Sequence, residues 1–232
     1  YCPRGGTELS THEVADGYKD VSVNSVIVPF KLVGKDEYFL VWTTTPWTLM
    51  ANVALCVNPD EEYVKCESMG YKFILAKKLA DSVLGEDYTV LETYVGKDLE
   101  RVEYEQLMPF METDKKGFYV TCDNYVTMED GTGIVHIAPA FGADDNAVGQ
   151  RYDLPMLQPV DLSGKYVDGP WKDRVVTDPE LEIEIIKYLK ENDKLFKKIK
   201  LSHNYPHCWR CKSPLIYMAK PAWYIKVTEF KD

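Results

Sequence analysis

The chain has 232 residues, with 27 Lys and Arg against 37 Asp and Glu, giving a net charge of −10. At ~100–200 residues per domain this length allows one or two domains. The 45% apolar content supplies a real core and excludes a disordered tail or a fibre. The longest apolar runs, such as Val53 to Val57, fall far short of the ~20 residues of a spanning helix, so no membrane contact is expected. No basic start followed by an apolar stretch reads as a signal peptide. Six cysteines in so long a chain point to a reducing, cytoplasmic compartment rather than a disulfide scaffold. The acidic balance argues against a free-standing binder of duplex nucleic acid.

Tyr1-Cys2-Pro3-Arg4-Gly5-Gly6-Thr7 is a turn-rich knuckle with no preceding element. With the uncapped end at Trp223 to Asp232, it reads as a cut through a larger protein. Between the ends short strands dominate. Ser22–Leu32 and Glu37–Thr43 flank a Gly34-Lys35-Asp36 turn, and Glu62–Glu67 and Tyr71–Ala76 flank Ser68-Met69-Gly70, which predicts two hairpins. Tyr88–Val95, Gly117–Cys122 and Gly133–Ala138 also read as strands, and Cys56, Cys66 and Cys122 fall in strand-like runs as core residues. Lys77–Leu84 is a short helix stopped by Gly85. Pro46–Met50 fits one helical turn with Thr45 as N-cap and Pro at its first position. The clearest helix spans Pro179 to about Glu191, capped by Asp178, with Leu181, Ile185, Tyr188 and Leu189 on one apolar face. Residues 162–178 form a long loop. The pattern predicts an α+β fold with a mixed, barrel-like sheet and short peripheral helices. The division is an N-terminal arm at 1–20, a central domain at 21–200 and a C-terminal arm at 201–232, where His203, His207, Cys208 and Cys211 crowd among prolines.

Three motifs could carry chemistry. In Val41-Trp42-Thr43-Thr44-Thr45-Pro46-Trp47-Thr48, with Asn52 soon after, threonines end a strand and a proline turns the chain. Hydroxyls and free backbone N–H groups then face one spot that can hold an oxyanion, a carboxylate, a phosphate or a water. An ordinary strand-to-helix corner has the same appearance. Asp130-Gly-Thr-Gly-Ile-Val-His136-Ile-Ala-Pro-Ala-Phe141-Gly-Ala-Asp144-Asp145 is not a dinucleotide fingerprint, because its glycines precede a strand. A lone His at a strand end is usually structural, and two acids at a helix start usually cap it. The coincidence of a His, an acid pair and a Thr cluster at strand ends is what suggests a site. The third motif, His207-Cys208-Trp-Arg-Cys211, is half of a zinc site, and Cys2 supplies a third thiolate; the fourth position, Gly5, has no ligand, so either His207 or His203 completes the set or the unit is a metal-free ribbon.

Together these motifs, with Pro214 and Trp223, resemble isoleucyl-tRNA synthetase over essentially the whole chain. They match the connective insertion of that class I family. Leucyl and valyl members usually show Thr-Thr-Arg-Pro in the first motif, and Thr45 stands where that Arg would be. Ala140-Phe141-Gly142 departs from the Gly-His-Gly common in bacterial relatives. The family's synthetic motifs, of the His-Ile-Gly-His and Lys-Met-Ser-Lys-Ser types, are absent, so no amino-acid activation is expected here. What the resemblance implies is proofreading: hydrolysis of the ester of valine mischarged onto isoleucine tRNA, with valyl-adenylate as a second possible substrate. One methylene in an apolar pocket discriminates weakly, a limit for which the isoleucine–valine pair is itself the standard worked example. Asp145 matches the carboxylate that holds the substrate ammonium. Thr43, Thr44 and Thr45 match the threonines that line the pocket and orient water or the terminal ribose. His136 matches a wall residue that sets side-chain size, or is a general base. Trp42, Trp47, Asn52 and Phe141 shape the substrate pocket, and Asp144 is a cap. No cofactor is implied for the hydrolysis. The family's ribbon zinc would fall to Cys2, Cys208 and Cys211. Implied partners are the tRNA 3′ end carrying valine and the rest of the synthetase chain, with the isolated region monomeric. Two rival readings are a non-catalytic module that grips the tRNA 3′ end and a metallohydrolase built on His203, His207, Cys208 and Cys211.

Overall fold

The computed structural model describes residues 1–221, 223, 225 and 227–230. Its strands are β1 (Tyr18–Lys31), β2 (Glu37–Thr43), β3 (Ala54–Val57), β4 (Glu62–Ser68), β5 (Tyr71–Ala76), β6 (Thr89–Val95), β7 (Tyr119–Cys122), β8 (Ile134–Ile137) and β9 (Lys197–Pro206). The α-helices are α1 (Thr11–Ala15), α2 (Ala80–Leu84), α3 (Ala143–Arg151) and α4 (Pro179–Glu191). The fold is mixed α+β. One sheet runs β6-β4-β5-β2-β8-β3-β7, with β1 on the free side of β2 and β9 beyond it. Both expected hairpins, β1–β2 and β4–β5, are antiparallel. β2 instead meets β5 and β8 in parallel, and β3 meets β7 in parallel.

The sheet curls. Segment 101–105 bonds to β7 on one side, through Tyr104 N–H to Phe118 O and Arg101 N–H to Val120 O. On the other side Glu105 N–H reaches Lys31 O and Glu103 O accepts from Val33 N–H. The path from β2 through β8, β3 and β7 thereby curls back to β1. Alternation along β1 and β2 divides their side chains between two cores. Val26, Val28, Phe30, Phe39 and Val41 enter the main core. Ile27 and Leu40 enter a smaller one with Val64, Phe73 and Leu75. Because both faces of β2 are covered, three consecutive residues, Phe39 to Val41, are fully buried.

α4 begins where its sequence signals place it. Asp178 accepts from Glu180 N–H at 2.9 Å, and Leu181, Ile185 and Leu189 enter the main core. The turn after Thr45 is a 3₁₀ helix, Pro46–Ala51. Thr45 holds the N-cap position but its side chain caps nothing. Asp144 is not a cap either: Gly142 occupies the N-cap of α3, and Asp144 and Asp145 lie in its first turn. β9 is the element that sequence reading passed over. Its polar run pairs with β1 from Tyr18↔Pro206 to Ile27↔Lys197, which also extends β1 four residues ahead of Ser22. These two strands run unbroken through positions 20/21 and 200/201.

The two chain ends meet beyond this ribbon. Ile216 N–H donates to Tyr1 O at 2.9 Å and His207 N–H to Gly17 O at 2.8 Å. Cys2, Cys208 and Leu215 form a small separate core against Leu9 and Val14. No helix among the described residues is long and apolar enough to cross a membrane.

Candidate active site

The parallel pairing of Trp42 with Val135 sends β2 and β8 in the same direction, so their C-terminal ends lie side by side. The threonine run leaves β2 there, and His136 sits near the end of β8. Three residues after Ala138 the chain turns at Phe141 into α3 and brings back Asp145. The result is a cavity of about 230 Å³ lined by Trp42, Thr43, Thr44, Thr45, Thr48, Val135, His136, Ala138, Phe141 and Asp145. All five expected catalytic residues therefore line one space. Of the four expected substrate-pocket residues, Trp42 and Phe141 line it as well.

Two do not. Trp47 stacks edge-on against Phe141 at 5.1 Å between ring centres and faces neighbouring clefts. Asn52 is buried in the core, where its amide donates to Ala54 O at 2.8 Å and its carbonyl accepts from the Tyr104 hydroxyl at 2.7 Å. Both of its polar ends are thus engaged by the protein.

The threonine corner is tied by its own hydrogen bonds. Thr45 N–H donates to Thr43 Oγ1 at 3.1 Å. Thr45 Oγ1 and Thr48 Oγ1 lie 3.2 Å apart. The Thr48 hydroxyl donates to Thr45 O at 2.8 Å and stands 3.0 Å from His136 Nε2. A hydroxyl has one proton, and this one goes to the carbonyl. His136 Nε2 must then be the donor to Thr48, leaving Nδ1 as a bare acceptor. Nδ1 is buried and has no hydrogen-bond partner among the described residues. Burial pulls the His136 pKa down to about 4, so the ring is neutral at physiological pH. Thr48 is the site residue not singled out from sequence. Its spacing from Thr45 on a helical turn was the available signal; its contact with His136 is 88 positions away in the chain.

Asp145 folds back over the N-terminus of α3. A Cβ on Gly142 would stand 2.6 Å from Asp145 Oδ2, so glycine alone permits this approach. The carboxyl is half-buried, and no Lys or Arg pairs with it among the described residues. Burial pushes its pKa up to about 7; a backbone hydrogen bond at Ala138 opposes the rise and the neighbouring Asp144 adds to it. Trp42 is held by a second close contact: Gly131, at φ +75°, would place a Cβ 2.6 Å from its ring.

The cysteine cluster is separate from this cavity. Cys2, Cys208 and Cys211 bring their sulfurs within 4.8 Å of one another. Gly5 contributes its backbone N–H to Cys2 Sγ at 3.2 Å in place of a side chain. His207 turns its Nδ1 to Tyr205 O at 2.9 Å and is not in the cluster. The side chain of His203 lies outside the described residues.

Comparison with known proteins agrees with the sequence resemblance. The isoleucine–tRNA ligase of Clostridium novyi is 51% identical over 237 residues, covering 100% of this chain and 22% of that protein. The isoleucine–tRNA ligase of Picrophilus torridus is 50% identical over 230 residues, covering 98% and 22%. The chain corresponds to a region of isoleucine–tRNA ligase. It spans about a fifth of the length of these curated relatives, at 22%. No protein-family model matches it. Among solved structures, the P. knowlesi cytosolic leucyl-tRNA synthetase editing domain superposes with a TM-score of 0.59 at 12% identity, covering 77% of this chain and 97% of that one. At that identity the likeness is one of fold. The isoleucine–tRNA ligase region thus has the fold of a synthetase editing domain, with the Thr, His and Asp residues at one cavity.

Proposed function

We propose that this region is the proofreading hydrolase of its ligase, cleaving the ester of valine mischarged onto isoleucine tRNA in the cytoplasm. The observation that supports this best is Asp145. A half-buried carboxylate without a cationic partner is unfavourable unless a cation arrives with the ligand. The α-ammonium of an aminoacyl ester supplies one, and the charge-assisted pair distinguishes it from a simple ester.

Around that anchor the other residues take graded roles. The cavity is small and walled by His136, Trp42, Val135 and Phe141, which suits a short branched side chain. Excluding the next methylene can be strong, because packed walls resist overfilling. His136 is read as a wall residue. A ring that binds a proton only near pH 4 is a weak base at neutral pH. Thr43, Thr44 and Thr45, which line the same cavity, are read as orienting a water or a ribose hydroxyl for attack on the ester carbonyl. Positioning and oriented dipoles carry the rate, with no covalent enzyme intermediate. Partners on this reading are the tRNA 3′ end and the remaining ligase chain.

Single-turnover deacylation of pre-charged valyl-tRNA by the full-length ligase tests the reading. Asp145→Ala is expected to lower kcat/KM by about ten- to a hundred-fold, the worth of a hydrogen bond to a charge. A near-wild-type rate would remove Asp145 as the anchor. Wild-type enzyme that releases no valine would leave a tRNA-end binding module instead. His136→Ala should open hydrolysis of isoleucyl-tRNA; unchanged discrimination would take His136 out of the wall.

A further inference from the structure

Arg101 occupies a backbone position that suits a different residue. It takes φ 67°, the left-handed region where glycine, asparagine and aspartate are at ease and a long side chain is strained. The segment cannot relax, because Arg101 N–H donates to Val120 O at 2.8 Å and Val120 N–H to Val102 O at 2.9 Å. The guanidinium lies over two tyrosine rings, 4.6 Å from the centre of Tyr119 and 5.0 Å from that of Tyr152. Both rings are pinned at their hydroxyls. Tyr119 donates to Tyr152 O at 3.1 Å, while Tyr152 donates to Glu100 Oε1 at 2.7 Å and accepts from Cys122 N–H at 3.1 Å. They form a fixed bed for a planar cation. Stacking at an exposed site is a small gain and does not exceed the backbone strain.

What the bed lacks is an anion. Arg101 is exposed, and its side-chain N–H groups have no hydrogen-bond or ion-pair partner among the described residues. Arg151, Arg174 and Arg210 are each paired with carboxylates, and the net charge of −10 shows that carboxylates are plentiful. Arg151 is also a second cation over the Tyr152 ring, at 5.9 Å, and Asp123 neutralises it. Two cations thus converge on one ring with one counter-ion between them, an arrangement that a second anion relieves. Tyr152 closes α3, the helix whose first turn brings Asp145 to the cavity. From Asp145 to Tyr152 the helix rises roughly 10 Å, the rise of about three stacked nucleotides.

We propose that Arg101 binds one backbone phosphate of the single-stranded 3′ end of the tRNA, among the nucleotides that lead to the cavity, with Tyr119 and Tyr152 holding the guanidinium plane. The proposal rests on the reading of that cavity as the aminoacyl-ester site. A guanidinium fork matches two phosphate oxygens at once, and flat stacking leaves its N–H edge free to do so. Such a single contact sets the path of the strand without requiring a broad basic face. Arg101 touches no reacting atom and acts on binding alone.

The test uses the full-length ligase and two readouts, each across a salt series. One is kcat/KM for single-turnover deacylation of pre-charged valyl-tRNA. The other is binding of a short single-stranded RNA of the tRNA's 3′-terminal sequence. Arg101→Asn removes the cation and suits the positive φ, so Tm is expected to stay or rise. Its kcat/KM and RNA affinity should each fall about ten-fold, as for a lost charge-assisted hydrogen bond. The slope of either logarithm against log salt should become shallower by about 0.7, the worth of one phosphate on a single strand. Arg101→Lys should keep the slope and recover part of the rate. Wild-type enzyme that binds the RNA with an Arg101-dependent slope but releases no valine would strike the hydrolase reading and leave this one standing. Affinity and slope indifferent to Arg101 would overturn the proposal. So would a lower Tm with unchanged slope, which marks a packing residue or a partner carboxylate elsewhere in the ligase.

Discussion

Asp145 and His136 carry opposite pH signatures, and each is measurable. An ordinary carboxyl titrates near 3.9 in an unfolded chain, and Asp145 is pushed up to about 7 by burial. Its ionised form is therefore a burden on the fold that grows as pH rises between those values and persists above them. Asp145→Asn removes the burden and keeps the shape. It is expected to raise Tm by about 2–6 °C at pH 8, with a smaller gain at pH 5, while deacylation falls. A variant no more stable than wild type at pH 8 would show that the carboxylate is not strained. His136 works the other way. Its folded pKa of about 4 lies below the ~6.5 of an ordinary imidazole. Stability from keeping the ring neutral is full above 6.5 and is lost as pH falls toward 4. Relative to wild type, His136→Gln should lose this upward slope of Tm with pH across that window, leaving the opposing fall from Asp145; an unchanged slope would mean the ring is not held neutral by its surroundings.

At the scale of elements, the site depends on how β2, β8 and α3 end. The threonine corner was visible as a strand followed by Pro46, and α3 as two acids after a glycine. Their convergence was suggested only by co-occurrence, because parallel pairing of Trp42 with Val135 is a contact across 93 positions that no local pattern encodes. α4 illustrates the opposite case. Its cap, its apolar face and its ends follow from residues within one turn of each other, and all three were legible. Asp178 accepts from Glu180 N–H and also pairs with Arg174 at 3.2 Å. Asp178→Ala should cost about 1 kcal/mol, or about 2–4 °C in Tm, read by thermal unfolding. Loss of less than half a degree would mean that packing of Leu181, Ile185 and Leu189 holds the helix without its cap.

At the scale of the whole molecule, net charge decides how the region meets RNA. A chain at −10 has little to neutralise a phosphate backbone. Its cavity instead asks for one cationic group at an unpaired 3′ end. The isolated region is therefore expected to bind whole tRNA only in the micromolar range or weaker, with a shallow dependence on salt. The rest of the ligase would supply the backbone grip. A nanomolar affinity that falls steeply with salt in filter binding would contradict this.

By itself the sequence determined the strand-rich α+β class, both hairpins, α4, the three chemical motifs and the family resemblance, because each is written in neighbouring residues: alternation, turn dipeptides, caps and fixed motif spacings. Only the tertiary structure decided the rest. It paired the polar run Lys197–Pro206 with β1, turned Asn52 into the core, placed Thr48 against His136, and set Ser213 beside Cys2 and Cys211. The physical reason is common to all four. A polar residue has no conformational preference strong enough to announce a distant partner, and in each case one such partner lies tens to hundreds of residues away.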